Sequence, residues 1–207
     1  MNKIRDRWRF VAESWFALSA EDQKQALAVA AAESGWPAFL LEKDIWVVWA
    51  LQILGRDQQL LPSLTFKGGT SLSKAHGLID RFSEDVDLAP AVNPSQAERR
   101  RKAADSKLKQ WVSEIPMPLL RGAVSAAGIP VKLTLKAAEP RRRQPPTIVL
   151  HYPPLIPAPE GTYGYVRPTV LLEFGAHDTG EPHGPVPITC EAATTWSCSI
   201  SRLPGHW

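Results

Sequence analysis

From Lys67 to Leu88 the chain reads K-G-G-T-S-L-S-K-A-H-G-L-I-D-R-F-S-E-D-V-D-L, and this stretch constrains the fold more than any other. The short run Leu64, Thr65 and Phe66 predicts a strand that ends at the glycine pair Gly68 and Gly69. Thr70 and Ser71 follow at the start of a predicted helix, about Ser71 to Ile79, and Asp85 and Asp87 lie one helix further on. Strand, loop, helix and D-x-D in this order suit a triphosphate with its metal ions.

The chemistry begins with the glycines. Without Cβ atoms they adopt positive φ and let backbone N–H groups approach a ligand closely. The hydroxyls of Thr70 and Ser71 and the unpaired N–H groups of a helix start would then lie where an anion is stabilised. In an extended segment, Val86 and Leu88 point to one face and the carboxylates of Asp85 and Asp87 to the other, roughly 6 to 7 Å apart at their bases. Carboxylates so placed can share divalent ions that activate an attacking hydroxyl and stabilise a leaving pyrophosphate. Mg²⁺ suits a site of one or two carboxylates, waters and phosphate oxygens.

Each motif also has a plainer reading. A lone G-G-T-S is a turn before a helix, and an isolated D-x-D is solvated loop charge. Their joint occurrence at this spacing favours a phosphate and metal site. A P-loop is disfavoured, because Gly68 lacks a second glycine and lysine in the G-x-x-x-x-G-K-[ST] register. Lys67 and Lys74 frame the loop as candidate phosphate partners, or else belong to solvated faces. His76, with no His or Cys at ligand spacing, reads as a helix-face residue.

At these residues the chain resembles the AbiEii/AbiGii type of nucleotidyltransferase toxins, the toxin half of type IV toxin-antitoxin and abortive-infection systems, within the DNA polymerase β-like superfamily. The resemblance rests on G-G-T-S-L-S-K followed by R-F-S-E-D-V-D-L, and extends to L-E-K-D-I-W at Leu41 to Trp46 and V-L-L-E-F-G-A at Val170 to Ala176. It implies transfer of a nucleotide from an NTP, to the 3′ end of tRNA in some members. Gly68, Gly69, Thr70 and Ser71 match the phosphate-binding loop; Asp85 and Asp87 match the metal-binding carboxylates; Arg81 and Ser83 match the R-x-S that precedes them. Glu173 falls where the superfamily often has a third acidic residue, or else is an edge-strand or salt-bridged glutamate. Arg81 is either a surface cation or a partner for phosphate, and Ser83 a turn cap.

The remaining pattern is α+β. Ser19 and Asp22 at capping-box spacing open a helix that ends near Gly35, with Pro37 beyond. Ile45 to Leu54 reads as a buried helix crowded by Trp36, Trp46 and Trp49, with Glu42, Lys43 and Asp44 as its hydrophilic rim. A charged helix is expected from Gln96 to Ile115, and strands at Val131 to Lys136, Thr147 to Tyr152 and Thr169 to Phe174. With the strands at Leu64 and Val86 they make a small mixed sheet with helices packed on it, a nucleotidyltransferase core. The expected division is an N-terminal helical segment over 1–36, the core over 37–188 and an irregular tail over 189–207.

In 207 residues with 44% apolar content there is enough for one sizeable core or one and a half smaller units. Two cysteines, Cys190 and Cys198, indicate no disulfide framework; a reducing cytoplasm is the default compartment. Arg5, Arg7 and Arg9 are followed by no secretory h-region, and no run is long enough to span a bilayer. A net charge of +3 does not by itself imply nucleic acid. The clusters Arg99 to Lys102 and Arg141 to Arg143 suit successive phosphates, or a solvated helix face and a hairpin tip. An RNA acceptor, like a cognate antitoxin partner, is implied by the resemblance alone.

After Ile188 no period is visible, and full members of the resembled family continue as a mainly helical half. The expectation is a C-terminally truncated chain. Two functions follow: a Mg²⁺-dependent nucleotidyltransferase, or a catalytically silent remnant that binds a nucleotide or a partner protein.

Overall fold

The computed structural model describes residues 15–74, 78, 85–90, 101–138, 144–159, 167–175, 185–188, 190–193 and 200–204. Helix α1 spans Ala20–Ser34, and its first turn is capped as the sequence predicts: the Ser19 hydroxyl accepts from the Asp22 N–H at 3.1 Å. Gly35, at φ 75°, ends it by donating its N–H to Ala31. Helix α2, Ala38–Arg56, is buried from Phe39 to Gln52 without interruption. A helix buried on every side belongs inside a fold, and α2 packs against α1, a later helix and the sheet. Phe16 and Tyr152 both lie against Trp46, with ring centroids 4.7 and 5.3 Å away.

The main sheet contains β1 (Leu64–Lys67), β2 (Asp85–Pro90), β3 (Lys132–Lys136), β4 (Thr147–His151) and β5 (Thr169–Phe174), in the order β1-β2-β5-β4-β3. Only the β2–β5 pair is parallel, so the sheet is mixed as expected. Alternation along the strands sends Phe66, Val86, Leu88, Ile148, Leu150, Val170, Leu172 and Phe174 to one face, where each is at most 1% exposed. Full burial of such a side chain contributes about 1.5–3 kcal/mol, which makes this face the core. The helix α4, Arg101–Glu114, reaches it through Trp111, edge-on to Phe174 at 6.0 Å.

Three elements differ from expectation. The short helix α3 spans Gly68–Lys74 and begins on the glycine itself, and Leu78 is already outside it. A second helix, α5, runs from Pro116 to Ala127. Pro116 stands in its first turn, where a missing N–H is harmless, and no helix was expected between Ile115 and the strand at Val131. The stretch after Ile188 is not irregular throughout: Glu191–Ala193 forms a 3-10 turn, and β7 (Ile200–Pro204) pairs antiparallel with β6 (Pro185–Ile188). A two-stranded ribbon is held by backbone hydrogen bonds, which carry no side-chain period to read. Cys190 is a buried free thiol. Residues 1–14 and Cys198 lie outside the described residues.

Candidate functional site

Strands β2 and β5 run side by side with Asp85 opposite Leu171 and Asp87 opposite Glu173. Paired residues present their side chains on one face of a sheet, and the alternate positions of both strands are buried in the core. Asp85, Asp87 and Glu173 therefore share the face away from the core. β5 lies between β2 and β4, so Glu173 is on an interior strand and not at an edge. Register carries the row further: Lys67, Asp87, Glu173, Thr147 and Lys136 follow one another across all five strands.

The glycine turn closes on this row. Gly68 has φ 75°, and a Cβ built there would overlap the Asp87 carboxylate. Only a residue without a side chain satisfies both the backbone and the approach. Gly68 is exposed and Gly69 half-buried, so this backbone faces outward beside the acids. The hydroxyls are arranged otherwise. Thr70 donates its hydroxyl to the Asp85 carbonyl, tying α3 to β2, while Ser71 is fully buried and its hydroxyl finds no hydrogen-bond partner among the described residues. Lys67 crosses the end of β5, where a Cβ on Gly175 would stand 3.1 Å from its ammonium.

Burial raises the pKa of Asp87 above the ordinary carboxylate value, the Asp85 charge adds to this, and Lys67 opposes it. Glu173 is raised by burial too, then by Asp85 and Asp87, against Lys136 and Lys67. Half-buried carboxylates that repel one another form a site a cation would relieve. Among the described residues, no three His, Cys, Asp or Glu side chains already stand around a single metal position. Asp85, Asp87 and Glu173 thus share a face without converging. Their hard oxygen donors and mutual repulsion nonetheless fit a divalent ion such as Mg²⁺.

Lys74 is not on a solvated face. It is 7% exposed, and its ammonium lies 2.6 Å from Asp44 and 3.2 Å from Glu191. Burial alone would lower its pKa, but the charge and hydrogen bond of Asp44, with Glu191, hold it above the ordinary lysine value. An ammonium so engaged is not at hand for phosphate. Arg81, Ser83, His76, Arg99 and the 141–143 cluster lie outside the described residues.

Sequence reasoning also misplaced Glu42, Lys43 and Asp44. They are not a hydrophilic rim, since each is at most 1% exposed. Glu42 accepts from the N–H groups of Leu155 and Ile156 at 2.8 and 3.0 Å, and Lys43 donates to the Arg167 carbonyl at 3.2 Å. Burial raises the Glu42 pKa in spite of those two bonds. The available signal was the apolar run on both sides of the three charges, which leaves no wet face for them.

Comparison with known proteins adds the family. The family profile described as "Nucleotidyl transferase AbiEii toxin, Type IV TA system" matches residues 52–203. Among solved structures, MenT4, a nucleotidyltransferase toxin from Mycobacterium tuberculosis H37Rv, is similar in fold at TM-score 0.51 and 16% identity. The alignment covers 87% of this chain and 54% of that one, so the chain spans about half the length of its solved relative. A search of curated proteins finds no match.

Proposed function

The chain belongs to the AbiEii family of nucleotidyltransferase toxins of type IV toxin-antitoxin systems, and from that premise we propose that it transfers an NMP from an NTP to a hydroxyl acceptor, the 3′ end of tRNA being the expected one. The observation that carries this reading is the Asp87 carboxylate lodged where Gly68 has no side chain, in a row with Glu173 and beside Asp85. That contact sets an anion-binding backbone next to a cluster of hard oxygen ligands, as transfer from a triphosphate requires.

In this reading the backbone N–H groups at Gly68 and Gly69 hold the β and γ phosphates, and Lys67 adds a fixed positive charge. Asp85 and Asp87 would hold Mg²⁺, with Glu173 completing the acidic set. The bound ion supplies charge neutralisation on the phosphates and a lowered pKa at the acceptor hydroxyl. Thr70 keeps the loop and the D-x-D strand in fixed relation through the Asp85 carbonyl. The protein's share of catalysis is alignment and preorganised charge. A cytoplasmic toxin restrained by a cognate antitoxin is the matching biological setting. No described helix is long and apolar enough to cross a membrane.

The test is incubation with each α-labelled NTP, Mg²⁺ and total RNA, followed by a denaturing gel. Label on tRNA, absent with Asp87→Ala, supports the proposal and identifies the nucleotide. An unlabelled lane for every NTP, with no heat on titrating the NTPs, defeats it and leaves a partner-binding remnant.

A further inference from the structure

Consecutive residues of a helix point roughly 100° apart, so burial of Glu42, Lys43 and Asp44 together needs three separate partners. Glu42 and Lys43 hold the connection between β4 and β5 through backbone groups at 155, 156 and 167. Asp44 does something different. One of its oxygens stands 2.6 Å from the Lys74 ammonium, the other accepts from the Glu191 N–H at 2.7 Å, and the Glu191 carboxylate also accepts from Lys74 at 3.2 Å.

Lys74 is the last residue of α3, the helix that starts with Gly68 and Gly69. Seven residues are too few for a helix to persist on its own, so its position must come from tertiary contacts. One end is tied to β2 by Thr70, and the other is tied to α2 by Lys74. A buried ion pair is often no more stabilising than apolar side chains of similar volume. Its distinctive contribution is direction, because the ammonium has to meet one carboxylate at one place.

We infer that Asp44 and Lys74 are positioning residues for the nucleotide: their pair holds α3 so that the Gly68 and Gly69 backbone meets phosphate while Gly68 stays against Asp87. The inference rests on the nucleotidyltransferase reading above. Glu191 brings the segment after β6 to the same junction, so the placement of the phosphate loop depends on residues far along the chain.

The test uses the full chain, with Asp44→Asn and with Asp44→Asn/Lys74→Met. The double variant removes both charges and leaves neither stranded, which keeps it folded if the single variant is not. Thermal melting, hydrogen exchange in peptides over 68–74 and 169–174, and titration of NTPs with Mg²⁺ are measured on each. We expect a double variant that melts near the wild type, exchanges faster at 68–74 but not at 169–174, and binds nucleotide more weakly by on the order of ten- to a hundredfold. Unchanged exchange at 68–74, or faster exchange with wild-type affinity, overturns the positioning role alone. Tighter binding by Asp44→Asn also overturns it, since that is what a released phosphate-binding lysine would do. A wild-type chain that binds no NTP defeats the functional reading and this inference with it.

Discussion

Two groups of acidic residues in this protein are treated in opposite ways. Glu42 and Asp44 lie inside α2 and are answered: backbone N–H groups meet the first, and an ammonium and an N–H meet the second. Asp85, Asp87 and Glu173 lie side by side on the face of the sheet away from the core, so that burial and like charge together raise the pKa of the last two. A carboxylate answered within the fold works for the fold. Carboxylates crowded together so that they raise one another's pKa leave work for something that binds.

Removing one charge from each group breaks the comparison most directly. Asp44→Ala leaves the buried Lys74 ammonium with only the longer Glu191 contact of its two described carboxylate partners, and the loss of a buried partner costs up to about 3–5 kcal/mol; chemical denaturation should show it as a lowered midpoint with an unchanged slope. Asp87→Asn should do the reverse. Transfer activity falls at least about a hundredfold through lost charge placement, measured by labelling of RNA, while the melting temperature does not fall. If Asp87→Asn proves as damaging to the fold as Asp44→Ala, the two groups are not different in kind.

Gly68→Ala probes the contact between loop and acid. The left-handed backbone alone costs roughly 1–2 kcal/mol for a residue with a Cβ, and that Cβ must also displace Asp87. Activity should therefore fall further than stability does, as seen by assaying rate and thermal midpoint on the same preparation.

The smallest effect is in pH. Asp87 and Glu173 have folded-state pKa values above their unfolded ones, so the folded state binds protons more readily and these groups weaken the fold at neutral pH. The penalty is fully present above the raised pKa and disappears as pH falls through it toward the ordinary carboxylate values. Wild type and Asp87→Asn should differ by up to about 0.5 kcal/mol at neutral pH, in favour of the variant, and converge in acid. Added Mg²⁺ at neutral pH should raise the wild-type midpoint more than that of Asp87→Asn. A gap that widens in acid would contradict the assigned shifts.

Local signals in the chain were legible where local physics decides. The Ser19 cap and the Gly35 stop mark both ends of α1, because capping hydrogen bonds span only three or four positions. Alternation places Thr169–Phe174 as a strand and tells which of its residues avoid the core. It was silent on β6 and β7, whose pairing joins segments more than ten residues apart. It was misleading on Lys74, where helical spacing suggested either phosphate or water.

By itself, then, the sequence determined a mixed α+β core, a glycine turn feeding a short helix and a D-x-D on an extended segment, because backbone preference and side-chain period are properties of neighbouring residues. Only the tertiary structure decided that Glu173 stands in register with Asp87, that Gly68 makes room for that carboxylate, and that Lys74 serves Asp44. Each of these depends on which strand or helix lies alongside another, and a charge acquires its role from the partner that packing brings to it.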